Sequence, residues 1–294
     1  MNTKRLPEKT PSGGQAVHAD ALATSRNSNA QQQPPLSVTN LRLDAAGRVL
    51  LQNLGFSAQA GERWCVIGRN AAGKSTLLRA LAGLHAPSAG QVAAAKPAYL
   101  PQATSDRFEL SVREYVQLHV QGLRHAQLPT QTMPIQAAGQ RADVDVGAGA
   151  GAAKSMPSAD PLAAHCQALD IAHLMDRPIT QLSGGERQRV GLAAVAAQNA
   201  ALWLLDEPVS FQDPAHQGVV GRWLLAQSSA PNPKAIVMTA HDMAWVQSYA
   251  THLIAIYDDM TLTLGKISDI LDEKLLHDTF ACQWRQVGSV WVVV

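Results

Sequence analysis

The stretch GERWCVIGRNAAGKSTLLRALAGL, residues 61–84, leaves few folds open to this chain. An apolar run, WCVIG, ends in glycine. The segment after the loop carries Leu77, Leu78, Leu81 and Leu84 at helical spacing. Between them lies Gly68-Arg69-Asn70-Ala71-Ala72-Gly73-Lys74-Ser75-Thr76, which fits the pattern of two glycines with four residues between them followed by Lys and Ser or Thr. The glycines let backbone N–H groups face an anion, and the helix N-terminus adds its dipole. Lys74 is expected to reach the β- and γ-phosphates of a nucleotide, and the Ser75 hydroxyl to ligate Mg²⁺. A glycine-rich turn without special chemistry is the plain alternative, and the strand–loop–helix setting argues against it.

The same alternation runs on. LSVTNLRL and the segment through LGFSAQ read as strands, AYLPQ as a short strand, SVREYVQLHVQGL as a helix and ERQRVGLAAVAAQ as another. ALWLLDEP and AIVMTAHD read as buried strands, MAWVQSYA as a helix and HLIAIYDD as a strand. Apolar strands alternating with helices imply an α/β fold whose sheet is mostly parallel and covered on both faces. Two stretches fall outside this pattern. Residues 1–35 are rich in Ser, Asn, Gln, Thr and Pro without periodicity and are expected to be a disordered tail. The Gly/Ala run at about 139–160 is expected to be a low-complexity loop insertion.

Composition narrows the partners. A net charge of +1 gives no bulk electrostatic case for nucleic acid. No run of about 18 apolar residues is present, so no bilayer-spanning helix is expected. The cysteines Cys65, Cys166 and Cys282 show no metal-ligand spacing and suit a reducing compartment.

Two further motifs carry chemistry. Asp206 and Glu207 end the apolar strand ALWLL, and ligands of open α/β sheets bind outside the carboxyl ends of the strands. Asp206 is placed to hold Mg²⁺, directly or through water, and Glu207 to polarise an attacking water as general base. Alone, DEP reads as a polar strand end before a turn; beside a phosphate loop it reads as catalytic. The second motif is LSGGERQR. Ser183 as N-cap with Glu186 three residues on forms a capping box. That box leaves Gly184 and Gly185 unexplained, since glycine early in a helix costs stability. They make sense if a second phosphate, bound by another copy of the chain, approaches these amides.

With these motifs in order, residues 36–294 resemble the ATP-binding cassette (ABC) ATPases. The resemblance implies one such domain. It has a P-loop NTPase core with a mostly parallel sheet flanked by helices, an antiparallel β subdomain, and a helical subdomain at about 103–189. A C-terminal tail follows at about 265–294. It implies ATP hydrolysis with Mg²⁺, and a homodimer in the ATP-bound state. There Ser183, Gly184, Gly185 and Glu186 serve the neighbour's nucleotide. By the same resemblance Gln102 contacts Mg²⁺ and couples to a transmembrane permease, Asp213 belongs to a loop crossing the dimer, and His241 contacts the γ-phosphate. Plain readings exist for each: a strand-end glutamine, a turn residue before Pro214, a strand-end histidine.

The chain also departs from the family pattern. Ala71 replaces a glycine and is expected to be tolerated at negative φ; Gln212 replaces a leucine. Where an adenine-stacking aromatic is usual, Ala45 stands, with Asp44 and Ala46 beside it. Weak discrimination between ATP and GTP is the expectation, and Trp64 is expected in the core. The tail GKISDILDEKLLHDTFACQWRQVGSVWVVV resembles importers for iron–siderophore complexes, haem and cobalamin. The expected setting is the cytoplasmic face of a bacterial inner membrane, with a separate permease and, indirectly, a periplasmic substrate-binding protein. An exporter ATPase, or a soluble ABC protein outside transport, are the rival readings.

Overall fold

A computed structural model describes residues 33–102, 109–125 and 161–294. The expected tail, apart from its last three residues, and the expected insertion at 139–160 lie outside the described residues. The elements in chain order are β1 (Leu36–Ala45), β2 (Arg48–Ala58), β3 (Arg63–Gly68), α1 (Lys74–Leu81), β4 (Ala89–Ala94) and β5 (Pro97–Leu100). Then come α2 (Val112–His125), α3 (Pro161–Ala168), α4 (Gly184–Ala197), β6 (Leu202–Leu205), α5 (Pro214–Ser229), β7 (Ala235–Thr239) and α6 (Met243–Tyr249). The chain ends with β8 (His252–Ile256), β9 (Leu262–Lys266), α7 (Ile267–Ile270), α8 (Glu273–Phe280), β10 (Trp284–Val287) and β11 (Val290–Val293).

The six-stranded sheet has the order β5-β6-β7-β3-β8-β9, parallel except for β9, which returns antiparallel on β8. Its strands alternate between two cores, as the period-2 geometry of a strand requires. Cys65, Ile67, Trp203, Leu205, Ile236, Met238, Leu253 and Ala255 face one core, with residues of α4, α5 and α6. Trp64, Val66, Leu202, Leu204, Val237, Ile254 and Ile256 face the other, with α1 and the inner residues of β1 and β2. The second core is closed by an antiparallel sheet of order β2-β1-β4. Covering both faces turns the central strands into continuous apolar runs, which is why they were readable.

Three differences from the sequence expectation have local causes. Leu84 lies beyond α1 and is exposed, because Gly83 takes φ 73° and closes the helix with Gly83 N–H to Ala80 O and Leu84 N–H to Arg79 O. Ala71 adopts φ 64°, in the left-handed region, so the condition under which alanine would be tolerated there, a negative φ, is not met. An L-residue there is strained by roughly 1–2 kcal/mol, so the loop holds alanine in a glycine's conformation. Finally α5, a 16-residue helix after Asp213, was not foreseen. Its interior glycines weaken the helical signal, yet Gly221 is required: a Cβ there would lie 2.4 Å from the Tyr249 ring.

Candidate nucleotide-hydrolysis site

The carboxyl ends of β3, β5, β6 and β7 meet on one edge of the sheet, and the motif residues sit on them. Gly68 closes β3, and residues 69–73 form the loop before α1. Gly73 takes φ 95° as N-cap of α1 and offers no capping side chain, so the amides of the first turn stay open. Lys74 is buried, and its Nζ donates to the carbonyls of Gly68 at 2.8 Å and Arg69 at 2.9 Å. Burial holds the Lys74 pKa below its ordinary value, opposed by the charges of Glu207 and Asp206. Ser75 and Thr76, half-buried, occupy the first turn. Beneath them, burial pushes the Cys65 thiol up to about 12, so it stays neutral. Arg69 is paired with Asp258, which ties the loop to the β8–β9 turn.

Asp206 and Glu207 follow β6. Asp206 is 2% exposed and accepts from the Thr239 hydroxyl at 2.7 Å, while the same hydroxyl accepts from the Glu207 N–H at 2.8 Å. One side chain on β7 therefore fixes both carboxylate-bearing residues. Glu207 takes φ 51°, a strained conformation of the kind found at functional sites. Its side chain is 15% exposed and its two oxygens are divided: Oε1 with His241 Nε2 at 2.7 Å, Oε2 accepting from Ser210 Oγ at 2.7 Å. Gln102 also hydrogen-bonds this carboxylate. Burial pushes the Glu207 pKa up, but the hydrogen bonds from Ser210, His241 and Gln102 outweigh it and hold it below the usual range.

The sequence-singled residues Gln102, Asp206, Glu207 and His241 thus come together. Ser210 and Thr239 were missed; the only hint was their position within two or three residues of a motif. The donor set suits Mg²⁺: Ser75, Gln102 and Asp206 offer hard oxygen atoms. Among the described residues no group of three His, Cys, Asp or Glu side chains could hold a metal on its own. Mg²⁺ bound through one carboxylate and substrate phosphates needs no such cage.

Ser183 caps α4, accepting from Glu186 N–H at 3.3 Å, while Glu186 Oε2 accepts from Ser183 N–H at 2.7 Å. The capping box is therefore present. The glycines have an intrachain reason as well: a Cβ on Gly185 would lie 2.9 Å from the Phe211 carbonyl oxygen, and one on Gly184 would lie 3.2 Å from Phe211 Cβ. Helix α4 also reaches the catalytic segment, Gln188 Nε2 donating to the Glu207 carbonyl at 3.0 Å. Asp213 is the N-cap of α5, accepting from His216 N–H at 2.9 Å with Pro214 at the first helical position. None of residues 183–186 or 213 lines the cleft beside the phosphate loop. Trp64 is core, as expected, stacked on His252 at 4.4 Å.

A phosphate loop facing paired carboxylates across parallel strand ends defines a nucleoside triphosphatase of the P-loop class. Comparison with known proteins then fixes the family: the ABC transporter model matches residues 51–210. The hemin import ATP-binding protein HmuV of Rhodococcus jostii is 32% identical over 288 residues, covering 93% of this chain and 82% of that protein. The petrobactin import ATP-binding protein FpuD of Bacillus anthracis is 31% identical, covering 84% and 87%. A metal-chelate type ABC transporter solved in an inward-facing conformation superposes with a TM-score of 0.68 at 28% identity, covering 88% of this chain and 97% of that one. The chain belongs to the ABC transporter family, as an ATPase subunit. Among the described residues no helix is long and apolar enough to cross a membrane.

Proposed function

We propose that this subunit powers import of a metal chelate, with haem, an iron–siderophore complex or cobalamin as the cargo class. The relatives described above, named for hemin and petrobactin import, support that reading over export, as does the resemblance of the C-terminal tail to such importers. It acts at the cytoplasmic face of a bacterial inner membrane, beside a separate permease and indirectly with a periplasmic binding protein. It needs no nucleic acid, and two copies pair when ATP is bound.

One observation carries the chemistry: Glu207 and Asp206 are both fixed by Thr239 at the strand ends that face Lys74. Lys74 exchanges the carbonyls of Gly68 and Arg69 for the β- and γ-phosphates, and residues 68–76 supply the amides. Ser75, Asp206 and Gln102 would hold Mg²⁺, which would supply charge neutralisation at the phosphates. Glu207 Oε1 takes the proton of the attacking water once His241 turns from it to the γ-phosphate. Ser183, Gly184, Gly185 and Glu186 close over the nucleotide of the second copy, and Asp213 contributes from the loop between.

The test is Glu207→Gln. ATP binding should persist and steady-state hydrolysis should fall by about 10²-fold or more, leaving an ATP-held dimer on size exclusion. Near-normal hydrolysis would place the base elsewhere. In proteoliposomes with its permease and binding protein, hemin, a ferric siderophore or cobalamin should stimulate ATPase activity. If none does, the importer assignment is overturned.

A further inference from the structure

The phosphate loop opens onto a cleft of about 550 Å³, a volume suited to a small-molecule ligand. Its lining comes from Arg48, Val49 and Leu50 of β2; residues 68–72 of the phosphate loop; His241; Tyr257, Asp258 and Met260 of the β8–β9 turn; and Phe280 of α8. Asp44, Ala45 and Ala46 do not line it. We infer that the nucleotide base is held by Tyr257 and Phe280, from the C-terminal part of the chain, against the Val49–Leu50 side of the cleft, with no contribution from residues 44–46. The inference rests on the ATP-site reading above.

Two features favour these aromatics. They are half-buried, so each keeps a face for a partner while its far side is anchored. Tyr257 is fixed by its hydroxyl, which donates to Thr263 Oγ1 at 2.9 Å, and Phe280 packs on Trp284 with ring centroids 5.6 Å apart. The turn that carries Tyr257 is in turn pinned to the phosphate loop through the Arg69–Asp258 pair. A base seated there keeps a fixed offset from the triphosphate. Arg48, which also lines the cleft, adds a guanidinium plane that can lie over a base or reach a phosphate. Stacking on an aromatic face is sequence-tolerant, because every base has a π-face. The site therefore grips ATP through its base while separating it only modestly from GTP.

The experiment compares equilibrium binding of Mg-ATP and of magnesium tripolyphosphate, which shares the phosphate contacts but has no base. Wild type should bind ATP more tightly than tripolyphosphate. Phe280→Leu and Tyr257→Leu keep apolar bulk and remove the ring. Each should weaken ATP binding about tenfold, within the range for losing one stacked base, and leave tripolyphosphate binding unchanged. Thermal melting checks that each variant is folded. If both variants are folded and the ATP-to-tripolyphosphate ratio matches wild type, the inference is wrong. If Ala45→Tyr alone raises that ratio while the two leucine variants do not lower it, the base lies against the β1–β2 turn instead. Wild type that binds neither ligand, or binds both as well after Lys74→Ala, would overturn the ATP-site reading itself.

Discussion

The chain starts a helix with glycine twice, at Gly73 before α1 and at Gly184 in α4, and the two starts obey different physics. At the first, Gly73 is needed for its backbone, φ 95°, and no side chain covers the first-turn amides. At the second, the backbone is ordinary, Ser183 and Glu186 cap each other, and the glycines are needed for space against the loop at Phe211. One start leaves its first-turn amides without a capping side chain. The other is already capped by its own side chains. Glycine-rich helix starts with similar composition therefore carry different tasks, and only the partner atoms tell them apart.

The comparison breaks most sharply on nucleotide binding. Lys74→Ala should weaken ATP binding by the isolated chain about 100-fold, from loss of roughly 3 kcal/mol of charge-assisted hydrogen bonding. Ser183→Arg should leave that binding intact yet abolish turnover. Mixing the two variants should restore some ATP-driven pairing, read by size exclusion; none at all would mean the two starts serve one chain. Next in size, Gly185→Ala should destabilise the fold by about 1–3 kcal/mol in denaturant melts, because its Cβ meets a backbone carbonyl that cannot rotate away. An unshifted midpoint would show that the glycine serves only a visitor. Ser183→Ala should cost about 1 kcal/mol through loss of the cap. Smallest and opposite in sign, Ala71→Gly should stabilise by up to about 1 kcal/mol by relieving the left-handed backbone. A loss of stability would show that the alanine methyl is packed to advantage.

What the sequence showed and hid follows one division. The phosphate loop, the β6 carboxylates and His241 are legible because each motif is contiguous and sits at a strand end. Asp213 and Pro214 mark the start of α5 but read in the sequence as a turn, Gly218 and Gly221 diluted the helical pattern, and the Tyr249 ring that requires Gly221 lies on another element. Thr239 and Ser210 are ordinary residues until folding sets their hydroxyls against Asp206 and Glu207. Tyr257 and Phe280 are invisible for the same reason: they line one cleft with the phosphate loop only because β8 lies beside β3 and α8 folds back over them. The φ of Ala71 could not be read at all, because a side-chain identity does not report the conformation its neighbours impose.

The divided carboxylate of Glu207 has a consequence for idle running. With Ser210 on one oxygen and His241 on the other, the carboxylate of the lone chain is a poor proton acceptor. Ser210 belongs to the same loop as Phe211, which lies against Gly184 and Gly185. Anything that presses on that loop can therefore reach the base. The contacts that hold the carboxylate thus run through a loop whose Phe211 is 75% exposed.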